Sequence, residues 1–472
     1  MKPSTLAPSA ADQMLDLARR AGRRVPAYAH HLNSHGVNID DVACLAQLPI
    51  TTKSDYLTRY TLPDLMWEGS SASAGSWSST SGSTGDPTYF PRDVRALDDA
   101  IAAHGRILLE HFSITDQSTL VIDSFAMGPW IGGTYTYQAC LGLRERGRLI
   151  SVATPGVDVS AAVRNLSVLA PHYEKVVVAG YPPLVKAILD QAESAALAQD
   201  IHLLLAGEAI GENWRDHLLN RIGRPDEPNR VALIYGTAEA GVMGFETPLT
   251  VAVRRAARPG TELAHGLFGA IGTRLPTFVA VDPLRRLVEV DDGYLLFTLD
   301  NAMPLIRYRI NDCGNVFSAV DLRDLLRGVG YDQLADEVDQ SMDYVVLNGR
   351  TDVATTYYSS NIYPSQLAEA FDSPSVSDRV TGRFIVDGQA DSTHEPVLRI
   401  SVELTAGGAG DPRLASQIQD LCIASLMANN DEYRTLREDH ANKTDPQISL
   451  HPYRTGAFAK SEIKHRYDGG RA

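Results

Sequence analysis

The residues best suited to chemistry crowd into one stretch, SSTSGSTGDPTYFPR, from Ser78 to Arg92. Gly82 and Gly85 let the backbone bend tightly and approach an anion with no Cβ in the way. Ser81, Ser83 and Thr84 add hydroxyl donors within the same few residues. A loop of this make-up suits the β- and γ-phosphates of a nucleotide. The same composition also describes a Ser/Gly linker, and the segment alone leaves both readings open. A Walker P-loop is excluded, because no Gly-Lys pair occurs anywhere in the chain. The G-x-G-x-x-G fingerprint of a dinucleotide site is missing as well.

Holding such a loop requires a framework, and the chain reads as one. From about 95 to 347, short apolar runs alternate with amphipathic ones. VVVAG precedes PPLVKAILDQA, IHLLLAG precedes ENWRDHLLNRI, and RVALIYG leads into a Gly/Ala-rich turn. This alternation predicts parallel β-α units and an α/β architecture. Ahead of it, residues 11–34 predict a short helix carrying Met14, Leu15 and Leu17, then a turn at Pro26. Beyond about 350 come a strand-like RFIVDG, the alternating LRISVELTA, the loop TAGGAGDP, and one long helix in ASQIQDLCIASLMANNDEYRTL. The expected organisation is a large N-terminal α/β body, residues 1–350, and a smaller α+β C-terminal domain, residues 351–472.

The totals narrow the partners. At 472 residues the chain exceeds what a single core usually serves. A formal net charge of −15 speaks against nucleic acid and against an anionic membrane, both of which demand a basic face. It does not exclude an anionic small molecule, which needs only local N–H groups and a few cations. Cys44, Cys140, Cys313 and Cys422 lie far apart with no C-x-x-C pair, so a reduced, cytoplasmic protein is expected. The N-terminal residues lack the apolar stretch of a signal peptide.

In this setting TSGSTGDPT (80–88) resembles the phosphate-binding signature of the adenylate-forming, acyl-activating (AMP-binding) enzymes. Phenylacetate–CoA ligases typically carry Thr at its last position, as Thr88 is here. AGEAI (206–210) resembles the segment bordering the adenine, and IYGTAEAG (234–241) the motif whose Tyr packs on adenine and whose Glu coordinates magnesium. AMPLIRYRINDCG (302–314) resembles the segment ending in the ribose-binding Asp. NGRTDVATTYYSSNIYPSQLAEAF (348–371) resembles the hinge and first part of a mobile lid, and RTGAFAKSEIKHRY (454–467) the loop that carries the catalytic lysine. RVPAYAHHL (24–32), LPITTKSDYL (48–57) and FAMGPWIGGTY (125–135) resemble the phenylacetate branch specifically. The resemblance spans nearly the whole chain.

What it implies is ATP-dependent activation of a carboxylic acid, aryl or arylacetic, as an acyl-adenylate, followed by transfer to a thiol. ATP and Mg²⁺ are the implied cofactors, CoA the implied co-substrate, and a homodimer is common among such relatives. By the same resemblance, Thr80, Ser81, Gly82, Ser83, Thr84 and Gly85 cradle the phosphates, and Glu239 binds the metal. Gly207, Glu208 and Ala209 border the adenine, with Tyr235, Gly236 and Thr237 against it. Asp312 accepts from the ribose hydroxyls, a task for an acceptor with two oxygens. Arg350 contacts ribose or phosphate, Asp352 is the hinge, and Lys464 bridges carboxylate and phosphate, with Lys460 its competitor. Phe125, Trp130, Ile131 and Gly132, with room left by Gly133, are placed to enclose a flat ring; they read equally as strand-and-turn core.

Two departures bear on the acceptor. Ser360 stands before Asn361 where relatives usually have Gly, near the pantetheine tunnel, and Ile463 precedes Lys464 where Gly is usual. They keep open a carrier-protein thiol or an amine as acceptor. A non-catalytic nucleotide-binding relative is the alternative of a different class.

Overall fold

Strands rich in Val, Leu and Ile with no polar face must be covered on both sides, and the central strands here are of that kind. The computed structural model describes residues 9–79, 88–128, 131–269, 275–350, 355–357, 360–387, 397–440 and 444–459. The N-terminal part contributes β1 (Thr51–Thr52) and the hairpin β2 (Ser76–Ser79) and β3 (Tyr89–Arg92). Then follow β4 (Thr119–Ser124), β5 (Ile150–Ala153), β6 (Lys175–Gly180), β7 (Ile201–Ala206) and β8 (Val231–Thr237). The chain turns back in β9 (Gly241–Phe245) and continues through β10 (Thr277–Val281), β11 (Arg286–Asp291), β12 (Tyr294–Leu299), β13 (Leu305–Phe317) and β14 (Asp343–Arg350). The C-terminal part holds β15 (Thr355–Tyr357), β16 (Ser360–Ile362), β17 (Val380–Asp387), β18 (Arg399–Leu404) and β19 (Gln447–His451).

Among the described residues, one large sheet runs β11-β12-β13-β14-β10-β9-β8-β7-β6-β4-β5, with β1 added beside β13. The run from β5 to β8 is parallel and the rest of that path antiparallel. Alternation sorts the parallel strands between two layers. Val121, Val177, Leu204 and Ala232 pack with helices Val94–Arg106, Ile131–Glu145 and Pro248–Ala256. Ile122, Val178, Leu203 and Leu233 pack with helices Val159–Val168, Pro182–Gln191 and Glu212–Arg221. This is the expected α/β architecture.

The N-terminal helix forms at Ala10–Arg24, capped by Ser9, whose hydroxyl and Asp12 exchange hydrogen bonds. Pro26 opens a second helix, Pro26–Ser34, rather than a plain turn, because proline at the first helical position sacrifices no bonded N–H. The C-terminal part has a core of its own, in which β17, β18 and β19 form a sheet covered by Leu414, Ile418, Cys422 and Leu426 of helix Pro412–Asn429. The single long helix expected there is broken. Asn430 is extended, and its side-chain oxygen accepts from Tyr433 N at 2.9 Å, which caps a new helix, Asp431–His440. Among the described residues no helix is long and apolar enough to cross a membrane.

Candidate active site

In open α/β sheets ligands bind beyond the carboxyl ends of the parallel strands, where side chains and loops converge. Phe125 follows β4, Tyr181 follows β6, Gly207 to Ala209 follow β7, and Tyr235 to Thr237 end β8 with Glu239 just beyond, so all meet at that edge. The sequence-predicted residues of three separate segments, with Tyr181 beside them, are thus brought together by one sheet.

The Tyr235 hydroxyl donates to Asp312 Oδ2, although 77 residues separate the two. Asp312 comes from β13, on the antiparallel side, and is only 7% exposed. It lies directly opposite Arg350 of β14, next to a register shift between Cys313 and Gly314. Bulges of this kind re-aim side chains beside sites. Asn311, with φ of 72°, turns the chain into the bulge, and Asn tolerates that left-handed region better than most residues. The Tyr235 ring is half-buried and stands 6.2 Å from the Phe297 ring.

Glu239 sits in the three-residue turn Ala238–Ala240 that joins β8 to β9. The turn is closed by Ala240 N donating to Thr237 Oγ1 at 3.1 Å and by Gly241 at φ 79°. From below, Arg92 donates to Glu239 O at 2.8 Å and to Ala238 O. Gly207 has φ of 99°, and a Cβ there would lie 3.2 Å from the Tyr181 ring, so the backbone after β7 rides on that ring. The same segment is pinned at its far end, where Arg254 Nη2 donates to Ile210 O at 2.6 Å. Arg254 belongs to a buried charge network: Glu212 holds it at 2.8 Å, and Glu246 holds Arg215 at 2.7 Å. Burial acts against the Arg215 charge, but Glu246 and Glu212 hold its pKa above the usual arginine value. Sequence reasoning missed this network and Arg92, since the partners lie far apart along the chain.

Around Phe125 and Ile131, the two glycines do not open room. A Cβ on Gly132 would lie 3.4 Å from the Phe125 ring, and one on Gly133 would lie 2.6 Å from Ala126 O. They let helix Ile131–Glu145 pack its first turn onto the turn after β4. Phe125 is buried with that core, while Ile131 is half-buried and, with Tyr135, faces Gly241. Behind Phe125, Asp123 is fully buried. Its Oδ1 accepts from Phe125 N at 3.2 Å, Oδ2 has no partner among the described residues, and burial holds its pKa well above the usual carboxylate range.

Thr80 to Gly85, Trp130, Asp352, Lys460, Ile463 and Lys464 lie outside the described residues, and of Arg350 and Ser360 the backbone alone is described. The hairpin strands β2 and β3 flank the glycine-rich stretch in sequence, and their Ser78 and Arg92 contact the Ala238–Ala240 turn.

No family model and no curated protein sequence matches the chain. Solved structures do. Over 97% of this chain and 87% of the other, it resembles 2-hydroxyisobutyryl-CoA ligase in the postadenylation state in complex with 2-HIB-AMP, with a TM-score of 0.62 at 15% identity. Over 98% of this chain and 92% of the other, it resembles an acyl acid amido synthetase in complex with 2,4-DB, with a TM-score of 0.61 at 13% identity. With a large α/β body and a small C-terminal part, the fold of this chain is that of the adenylate-forming enzymes.

Proposed function

We propose that the chain activates a carboxylic acid, aryl or arylacetic, with ATP and passes the acyl group to the thiol of CoA. The observation that carries the reading is the meeting of Tyr235 with Asp312 beside the Glu239 turn, at the carboxyl ends of the parallel strands. An aromatic face, a buried carboxylate and a second carboxylate in one place suit a base, a ribose and a metal-bound phosphate.

In the first half-reaction a carboxylate oxygen attacks the α-phosphorus, the bond from that phosphorus to the bridging oxygen breaks, and pyrophosphate leaves with the electron pair. Charge builds on phosphate oxygens, so the work is positioning and electrostatic stabilisation. Tyr235 and Asp312 orient the nucleoside, Thr80 to Gly85 hold the phosphates, and Lys464 bridges the acid and the phosphate. A single half-buried carboxylate, with no three-residue acidic, His or Cys cluster among the described residues, fits a Mg²⁺ that takes its other ligands from phosphate and water. Glu239 would hold such an ion, which would neutralise phosphate charge. In the second half-reaction the thiol attacks the acyl carbon, the acyl–oxygen bond breaks and AMP departs. Residues 351–472 act as a lid that turns about Asp352 between the two steps, resting on the body through contacts such as His217 with Asp378 at 3.6 Å.

A second reading hands the acyl group to an amine or a carrier-protein thiol; Ser360 and Ile463 favour it. Acid-dependent ATP–pyrophosphate exchange across aryl, arylacetic and short aliphatic acids tests the first step. Lys464→Ala is expected to lose about 10²–10³-fold in rate, as for removal of one transition-state contact, and Lys460→Ala far less. Wild type silent with every acid overturns the reading. Saturable AMP release with CoA selects the thiol, and release only with amines selects the second reading.

A further inference from the structure

Arg92 ends β3, immediately downstream of the glycine-rich loop, and is only 2% exposed. Its guanidinium reaches two consecutive carbonyls of the neighbouring turn: Nη1 donates to Glu239 O at 2.8 Å and Nη2 to Ala238 O. Nη2 also donates to Ser78 Oγ at 3.2 Å. The guanidinium carbon lies 5.7 Å from the centre of the Tyr135 ring. No carboxylate pairs with it among the described residues: the adjacent Asp93 is taken by Arg95, at 2.7 Å, and by the amides of the helix it caps. Burial pulls its pKa below the usual arginine value, against Tyr135, Glu239 and Asp93.

We propose that Arg92 is the positioning residue of the site: its planar fork fixes the Ala238 and Glu239 carbonyls side by side and so sets the aim of the Glu239 carboxylate. The same side chain joins three segments, the hairpin that carries the glycine-rich loop, the turn that carries Glu239, and the helix at the acyl end through Tyr135. A lysine keeps the charge but has no rigid fork to hold two carbonyls at once. The inference rests on the reading of Glu239 as the metal-binding carboxylate.

Titration calorimetry of ATP against the full chain, once with Mg²⁺ and once with EDTA, tests it without any turnover. Wild type is expected to bind ATP more tightly with Mg²⁺, and Glu239→Gln to lose that gain. Arg92→Lys is expected to lose about tenfold of the Mg²⁺-dependent gain with EDTA binding unchanged, and to have no further effect in the Glu239→Gln background. Ser78→Ala, which removes one contact of the fork, gives a smaller loss of the same kind and serves if Arg92→Lys does not fold. A wild type indifferent to Mg²⁺ overturns the reading of Glu239, and this inference with it. A Mg²⁺-responsive wild type beside variants that match it, or that weaken ATP equally with and without Mg²⁺, overturns the positioning role of Arg92 alone.

Discussion

The proposed nucleotide end and the proposed acyl end of the site are held by different means. Around Tyr235, Asp312 and Glu239 the backbone is pinned by polar groups reaching in from distant elements: Arg92 on the Glu239 turn, Arg254 on Ile210, Glu246 on Arg215 and on Leu233 N. Around Phe125, Ile131 and Tyr135 it is held by close packing, with glycines where a Cβ has no space. Directed bonds fix atoms for chemistry that does not vary with substrate. Packing fixes a wall whose shape changes with a few side chains, and such a wall suits selection among acids.

The sharpest way to break that contrast is at Glu246. It is fully buried and joins Arg215, while its second oxygen accepts from Leu233 N at 3.0 Å. Glu246→Gln leaves a buried guanidinium short of its counter-charge, and a loss of about 3 kcal/mol is expected in denaturant unfolding at neutral pH. A loss under about 1 kcal/mol would mean that Glu212 alone supports both arginines, and that the nucleotide end is packed like the acyl end.

Asp123 comes next and sets the two ends apart by pH. Its folded pKa is raised, so between the ordinary carboxylate value and that raised value the folded chain holds a proton that the unfolded chain has lost. Stability therefore falls as pH rises through this window and is unaffected below it. Asp123→Asn keeps an acceptor for Phe125 N and has no proton to lose. The variant is expected to equal or exceed wild type, by about 2 kcal/mol near pH 8 and by little at pH 4. Parallel pH profiles of the two unfolding midpoints would mean that Asp123 titrates alike in the folded and unfolded chain and that burial does not raise it. Smaller again is Gly133→Ala, expected to cost about 1–2 kcal/mol because Ala126 O is backbone and cannot yield, whereas Gly132→Ala costs under about 0.5 kcal/mol. Equal costs would show that the helix start is free to shift.

How much of this was legible in the sequence follows from the range of each interaction. The parallel strands read as apolar runs because they are buried on both faces, and the β8–β9 turn reads as Gly and small residues because of its tight geometry. The glycines at 132 and 133 were legible as glycines but not in sense: the same residue marks open room and close approach, and here it marks close approach. Asn430 breaks a helix inside a continuous amphipathic pattern, because its side chain caps the next helix better than it continues the last. Arg92 was visible at the end of the glycine-rich stretch, yet its partners lie 146 and 147 residues away, and no local pattern announces such a meeting.

The finest test divides the nucleotide end itself, through Tyr235→Phe. The substitution keeps the aromatic face and removes only the hydroxyl that donates to Asp312 Oδ2. Hydrogen bonds to charged groups contribute about 1.5–3 kcal/mol in folded proteins, but Asp312 keeps further contacts, so a loss near the lower end is expected. The ring predicts that adenine binding survives, so affinity for ATP should fall only about threefold to tenfold. The hydroxyl predicts where that loss arises. If it holds the Asp312 carboxylate toward the ribose, wild type should prefer ATP over 3′-deoxy-ATP, and the preference should shrink in the variant. An unchanged preference with weaker overall binding assigns the hydroxyl to the protein's own stability. A preference lost entirely in Asp312→Asn but intact in Tyr235→Phe leaves Asp312 as the ribose acceptor and shows that the bulge at Cys313 and Gly314, not the tyrosine, aims it.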